Sequence, residues 1–134
     1  MKNVEHIGIA VEELEAAERL FSSLLNAQPY KRETVASEGV LTSFFQVNQT
    51  KIELLQSTDP EGVIARFIEK KGEGVHHVAF EVDDIVLEME RLKKEGFALL
   101  SETPKPGADN KLVCFLHPKT TNGMLIELCQ EIKP

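Results

Sequence analysis

The chain contains an internal repeat, and this repeat constrains the fold more than any other feature. A segment that starts at Val4 reads VEHIGIAVEELEAAERLFSSL, and one that starts at Val75 reads VHHVAFEVDDIVLEMERLKKE. Each is followed, after a similar length of chain, by a second matching segment, IELLQ at residues 52–56 and IELCQ at residues 126–130. The sequence therefore predicts one structural module that is used twice in tandem.

Both copies have the same predicted order of elements, beginning with a strand and a helix. Alternating apolar residues predict strands at 5–11, 30–36, 40–47 and 51–56 in the first copy, and at 76–82, 97–101, 112–117 and 124–129 in the second. The apolar stripe of the first helix is Leu14, Ala17, Phe21, Leu24 and Leu25. That of the second is Ile85, Met89 and Leu92, with Asp83 or Asp84 as its cap and Gly96 at its end.

These elements predict an α+β fold of two tandem βαβββ modules. We expect a pseudo-twofold, cup-shaped mixed β-sheet with the helices outside. A short helix that starts at Pro60 connects the copies. The prediction is one domain over residues 1–134, with module one at 1–59, the connecting helix at 60–74 and module two at 75–134.

Strand parity places four polar residues apart from the apolar ones, because successive side chains on a strand face opposite sides. On the first strand, His6 points away from Ile7 and Ile9, and His77 occupies the equivalent position in the second copy. Glu53 and Glu127 are likewise separated from their aliphatic neighbours. A pseudo-twofold arrangement of the two sheets would bring these four side chains together.

Two imidazoles and two carboxylates are a suitable ligand set for a divalent transition metal. Coordination would also compensate the cost of removing a carboxylate from water. Taken singly, each histidine could be a hydrogen-bonded structural residue, and Glu53 could face solvent at a sheet edge. Repetition of all four in register favours the metal site, and the repeat selects His77 rather than His76.

Composition excludes several classes of partner. The net charge of −7 argues against binding to nucleic acid or to an anionic membrane, although a small anionic ligand needs only a local positive site. No apolar run is long enough to span a bilayer, and the N-terminal segment does not resemble a signal peptide. Cys114 and Cys129 lie in apolar segments and are expected to be buried, reduced thiols, which favours a cytosolic location.

The paired modules resemble the vicinal oxygen chelate superfamily of glyoxalases, bleomycin resistance proteins and dioxygenases. Within it, the segments GEGVHHVAFEVDDI and FLHPKTTNGMLIEL are similar to those of the methylmalonyl-CoA epimerase family. The resemblance covers essentially the whole chain. It implies metal ligation by His6, Glu53, His77 and Glu127, with one divalent ion per chain, Co²⁺ in vitro or Zn²⁺, Mn²⁺ or Ni²⁺.

The resemblance further implies an epimerase that interconverts (2R)- and (2S)-methylmalonyl-CoA through a metal-stabilised enolate. The substrate would be an acyl-CoA, and the assembly a homodimer. Glu127 is the first candidate for one proton carrier, and Glu53 or Glu38 for the other. Some family members have a catalytic glutamate at the position of Thr42, so this chain departs from them there.

Two other activities stay open at this point. A lactoylglutathione lyase would share the ligands and the proton chemistry, and a metal-free small-molecule binding protein can have the same fold. Of the remaining basic residues, Lys105, Lys111 and Lys119 are interpreted as solvated surface lysines rather than as a CoA site. His117 and Lys119 could contact the substrate or could simply form the HPKTTNG turn.

Overall fold

The computed structural model describes residues 1–133, which contain eight strands and three α-helices. In chain order these are β1 (Asn3–Ala10), α1 (Leu14–Leu25), β2 (Lys31–Val35), β3 (Val40–Val47), β4 (Thr50–Ser57), α2 (Val63–Lys71), β5 (Gly74–Glu81), α3 (Ile85–Lys94), β6 (Lys105–Gly107), β7 (Lys111–Leu116) and β8 (Ile126–Glu131). Within the described residues, no helix has both the length and the apolar character that crossing a membrane requires.

The chain divides into two compact units with the same internal topology. The N-terminal unit comprises His6–His76, and its strands follow the order β2-β3-β4-β1, with β1 parallel to β4 and the other pairs antiparallel. The C-terminal unit comprises Met1–Glu5 and the chain from His77 onward, in the order β5-β8-β7-β6, with β5 parallel to β8. The predicted α+β class with two tandem βαβββ modules is confirmed.

Helix α1 packs on one face of its sheet through most of the predicted stripe. Leu14 is buried, and Ala17, Phe21 and Leu25 pack beside it against Phe45 and residues of β1 and β4. Leu24 was predicted to belong to this stripe, but its side chain is 69% exposed. Leu24 and Leu25 are adjacent and lie about 100° apart on the helix, so burying Leu25 turns Leu24 towards solvent.

Helix α2 covers part of the opposite sheet face, where Ile64 packs with Ala10, Val40 and Leu55. It begins at Val63, three residues after the predicted start at Pro60. The intervening residues form a turn in which Asp59 accepts hydrogen bonds from the backbone N–H groups of Glu61 and Gly62. Pro60 is therefore part of this turn and not of the helix.

In the C-terminal unit, Asp84 caps helix α3 by accepting a hydrogen bond from the backbone N–H of Leu87. The predicted stripe is buried as expected. Its members join the core cluster Val82, Ile85, Met89, Leu92, Cys114, Leu116 and Leu128. Both cysteines are buried free thiols, as predicted.

The strand predicted at residues 97–101 is wrong. This segment makes a single bridge between Leu99 and Leu116, and its apolar residues Phe97 and Leu99 pack against the α3 cluster. The second strand of the unit is instead β6, which lies between the segments predicted as strands at 97–101 and 112–117. It contains Pro106, which an edge strand accepts because one side of its backbone needs no ladder partner.

Candidate active site

In the N-terminal unit, His6 and Glu53 form a buried pair on the same sheet face. Gly8 of β1 lies opposite Glu53 of β4, and His6 is two residues before Gly8 on the same face. Gly8 carries no side chain at this position of the ladder. His6 Nδ1 lies 3.2 Å from Glu53 Oε2, and both side chains are almost fully shielded from solvent.

The C-terminal unit builds an equivalent pair from His77 and Glu127. Here Ala79 of β5 lies opposite Glu127 of β8, and His77 is again two residues before the small residue. His77 Nε2 lies 3.2 Å from Glu127 Oε1, and both side chains are buried. The two units therefore repeat the small residue, the histidine and the carboxylate at matching positions of the ladder.

An aromatic residue lies opposite each carboxylate on the neighbouring antiparallel strand. Phe44 of β3 faces Glu53, and Phe115 of β7 faces Glu127. The ring of Phe115 also contacts His77 edge-on, with 5.9 Å between ring centroids. These rings exclude water from one side of each pair, which strengthens electrostatic interactions within it.

Each pair offers an imidazole nitrogen and a carboxylate oxygen, the donors that divalent transition metals accept in proteins. A cation at such a pair would also compensate the negative charge of a buried carboxylate. The residues therefore fit a metal ion. Alternatively, a carboxylate beside an imidazole in a water-poor setting can take up and return a proton.

The structure thus joins the predicted metal ligands in two His–Glu pairs, one in each unit. Glu38, the third candidate proton carrier, lies in a short 3₁₀ turn, Ala36–Glu38, between β2 and β3, and is partly buried. His76, which the repeat did not select as a ligand, stacks edge-on against Phe67 of α2 with ring centroids 4.9 Å apart. Its role in that contact is packing.

Thr42 shares a sheet face with Glu53. It lies opposite Leu55 of β4 and two residues before Phe44, which faces Glu53. Its side chain is 1% exposed, and its hydroxyl oxygen has no hydrogen-bond partner. The sequence pointed to this position only because some family members have a glutamate there.

Of the basic residues considered in the sequence, Lys111 differs from the prediction and His117 has a structural role. Lys111 is buried and not a solvated surface lysine, because its Nζ lies 3.9 Å from Glu5 Oε2. His117 Nδ1 accepts a hydrogen bond from the backbone N–H of Lys119 and so caps the turn that follows β7. Lys105 and Lys119 are exposed, as predicted.

The comparisons with known proteins agree with this architecture. Residues 5–115 match the sequence model of the Glyoxalase/Bleomycin resistance protein/Dioxygenase superfamily. The match covers most of the chain, and the repeated βαβββ topology with paired polar residues on the sheet is consistent with it. The chain belongs to this superfamily.

Within this superfamily, the chain is similar to proteins that are named methylmalonyl-CoA epimerases. A Cereibacter sphaeroides protein named ethylmalonyl-CoA/methylmalonyl-CoA epimerase is 42% identical over 129 residues, covering 95% of this chain and 96% of that protein. The human mitochondrial methylmalonyl-CoA epimerase is 40% identical over 128 residues, covering 95% and 73%. A Streptomyces coelicolor methylmalonyl-CoA epimerase variant, solved in complex with 2-nitronate-propionyl-CoA, superposes with a TM-score of 0.95 at 27% identity, covering 99% of each chain.

Proposed function

We propose that this protein is an epimerase that interconverts the (2R) and (2S) forms of methylmalonyl-CoA. The observation that carries the proposal is the pair of buried His–Glu sites, His6 with Glu53 and His77 with Glu127, in matching ladder positions. The names of the relatives supply the substrate class, an acyl-CoA with an acidic C–H between two carbonyl carbons. The competing assignments are a lactoylglutathione lyase and a metal-free small-molecule binding protein of the same fold.

The proposal includes one divalent metal ion, held jointly by His6, Glu53, His77 and Glu127. The support is the repeat itself, which gives each module an imidazole and a carboxylate 3.2 Å apart, through His6 Nδ1 in the first module and His77 Nε2 in the second. Such a mixed set suits Co²⁺, Zn²⁺, Mn²⁺ and Ni²⁺. When bound, the cation would act as a Lewis acid that stabilises negative charge on the substrate oxygens.

The protein residues would move the proton at C2. Glu127 is proposed to take the proton from one face of the substrate, and Glu53 to return it on the other, with Glu38 as the alternative second carrier. Both Glu127 and Glu53 are buried beside a histidine and opposite a phenylalanine, so they can exchange a proton without competition from bulk water. Inversion requires two carriers because the proton leaves and returns on opposite faces.

The small residues and the aromatic rings would position the reacting part of the substrate. Gly8 and Ala79 are the small residues opposite the two carboxylates on one neighbouring strand, and Phe44 and Phe115 lie opposite them on the other. If the thioester and carboxylate groups of the substrate are held in one plane, the C2–H bond of the substrate can point towards a carboxylate oxygen of Glu53 or Glu127. We also propose that the protein is located in the cytosol and forms a homodimer.

The test is an epimerase assay on the purified protein, with and without Co²⁺, run beside a lactoylglutathione lyase assay on the glutathione hemithioacetal. We expect turnover of methylmalonyl-CoA, stimulation by the metal and no turnover of the hemithioacetal. Metal analysis after supplementation should give about one divalent ion per chain. Turnover of the hemithioacetal alone would assign the protein to the lyases, and neither metal nor turnover would assign it to the binding proteins.

A further inference from the structure

The hydroxyl group of Thr42 is the one buried side-chain N or O atom among residues 1–133 that has no hydrogen-bond partner. The side chain is 1% exposed, so water does not solvate it. An unsatisfied buried hydroxyl destabilises a fold, because it has lost its hydrogen bonds to water without replacement. Such a group is expected to have a partner that the folded chain does not supply.

The second module shows that packing does not require this hydroxyl. Thr42 is two residues before Phe44, which lies opposite Glu53, and Val113 is two residues before Phe115, which lies opposite Glu127. Val113 is therefore the equivalent of Thr42, and it is also buried. Valine has the shape of threonine with a methyl group in place of the hydroxyl group. An apolar side chain can therefore fill this position of the module.

The position of Thr42 indicates what its partner would be. Thr42 and Glu53 lie on the same face of adjacent strands, at diagonal positions of the antiparallel ladder. Diagonal neighbours are close enough to contact the same small molecule. On one side of Thr42 along this face lies an apolar cluster that offers no polar group, formed by Ala10, Val40, Leu55 and Ile64. On the other side lies the His6–Glu53 pair.

We infer that the Thr42 hydroxyl donates a hydrogen bond to a substrate oxygen that gains negative charge when the C2 proton leaves. This inference rests on the proposed epimerase function and adds to it a substrate-contacting residue in the first module. A hydroxyl is a donor that a developing oxyanion accepts strongly, and it needs no change of protonation state to act. Because the bond strengthens in the transition state, its loss lowers kcat more than it raises KM.

The experiment compares Thr42→Val with Thr42→Ser, and uses Thr34→Val on β2 as the matched control, because Thr34 is exposed. For Thr42→Val we expect kcat to fall about 10- to 100-fold, with KM changed less than about threefold. Its unfolding midpoint should equal or exceed that of the wild type, since an unsatisfied buried group has been removed. Thr42→Ser should recover most of the turnover, and Thr34→Val should retain wild-type kinetics.

Three outcomes would overturn the inference. If the wild type turns over methylmalonyl-CoA and Thr42→Val has the same kcat and KM, the hydroxyl does not contact the substrate, although the proposed function stands. If Thr42→Val is less stable or fails to fold, the hydroxyl has a structural partner within the protein. If the wild type does not turn over methylmalonyl-CoA, the proposed function fails and this inference fails with it.

Discussion

The side-chain oxygen of Gln56 accepts a hydrogen bond from the backbone N–H of Leu14, with 2.6 Å between the two atoms. Gln130 does the same for Ile85 in the second module, at 2.8 Å. The glutamine that ends each IELLQ-type segment therefore ties the last strand of a module to the first turn of its helix. The same strand carries the site glutamate three residues earlier, so this bond also helps to fix the position of that glutamate.

Gln56→Leu should lower the free energy of unfolding by about 1–2 kcal/mol. The substitution leaves an N-terminal N–H of α1 without its acceptor, and the side chain of the preceding Glu13 does not cap this helix. Denaturant unfolding measures the change. Gln28→Leu, at an exposed position, should change the stability by less than about 0.5 kcal/mol. Equal effects of the two substitutions would contradict a capping role for Gln56.

Leu14 and Leu24 of the predicted α1 stripe should differ sharply in their effect on stability when each is replaced by alanine. Leu14 is 2% exposed and packs in the core, so Leu14→Ala should destabilise the protein by about 2–4 kcal/mol. Leu24 is 69% exposed, so Leu24→Ala should change the stability by less than about 0.5 kcal/mol. Thermal or denaturant unfolding of the two variants in parallel checks this. A large loss for Leu24→Ala would mean that another molecule covers that face.

Glu18 should make stability depend on pH in the acid range. The hydrogen bond from Arg32 lowers the pKa of Glu18 below its usual value, burial opposes this, and the hydrogen bond from Ser43 lowers the pKa further. A carboxyl group whose pKa is lower in the folded state stabilises the protein above its unfolded pKa, and this stabilisation is lost as the pH falls through its folded pKa. Glu18→Gln should therefore lower the unfolding midpoint at pH 7, and the difference from the wild type should shrink towards pH 3.

Unfolding of both proteins between pH 3 and pH 7 measures this effect. Glu15→Gln, exposed on the same helix, is the control for loss of one negative charge. It should shift the midpoint at pH 7 less than Glu18→Gln does. A gap between wild type and Glu18→Gln that stays constant with pH would rule out the Arg32 interaction as its source.

Exchange of the C2 proton separates the candidate proton carriers. Glu127→Gln should abolish inversion and also the exchange with heavy water of the epimer whose C2–H bond faces Glu127, followed by NMR, because the amide cannot accept the proton. Glu38→Gln then discriminates between the two candidates for the second carrier. Full epimerisation by this variant would eliminate Glu38 and leave Glu53, whereas exchange without inversion would identify Glu38 as the carrier on the opposite face.

The sequence alone was sufficient to predict the repeat, the strand parity around the site residues and the buried stripe of α3. The period-two alternation around His6 and Glu53 decides which side chains share a sheet face, and a strand obeys that parity wherever it lies. The 3.6-residue spacing of Ile85, Met89 and Leu92 likewise determines the buried side of α3. Local periodicity is a property of the backbone, so these predictions held without knowledge of the remainder of the fold.

Tertiary structure decided everything that depends on which segments meet. Leu24 fits the helical stripe in sequence, yet its neighbour Leu25 occupies the core position. Lys111 resembles a surface lysine until Glu5, more than a hundred residues away in the chain, lies beside it. The unpartnered hydroxyl of Thr42 is equally invisible in the sequence. Burial and hydrogen-bond satisfaction are sums over non-local neighbours, and no local pattern encodes them.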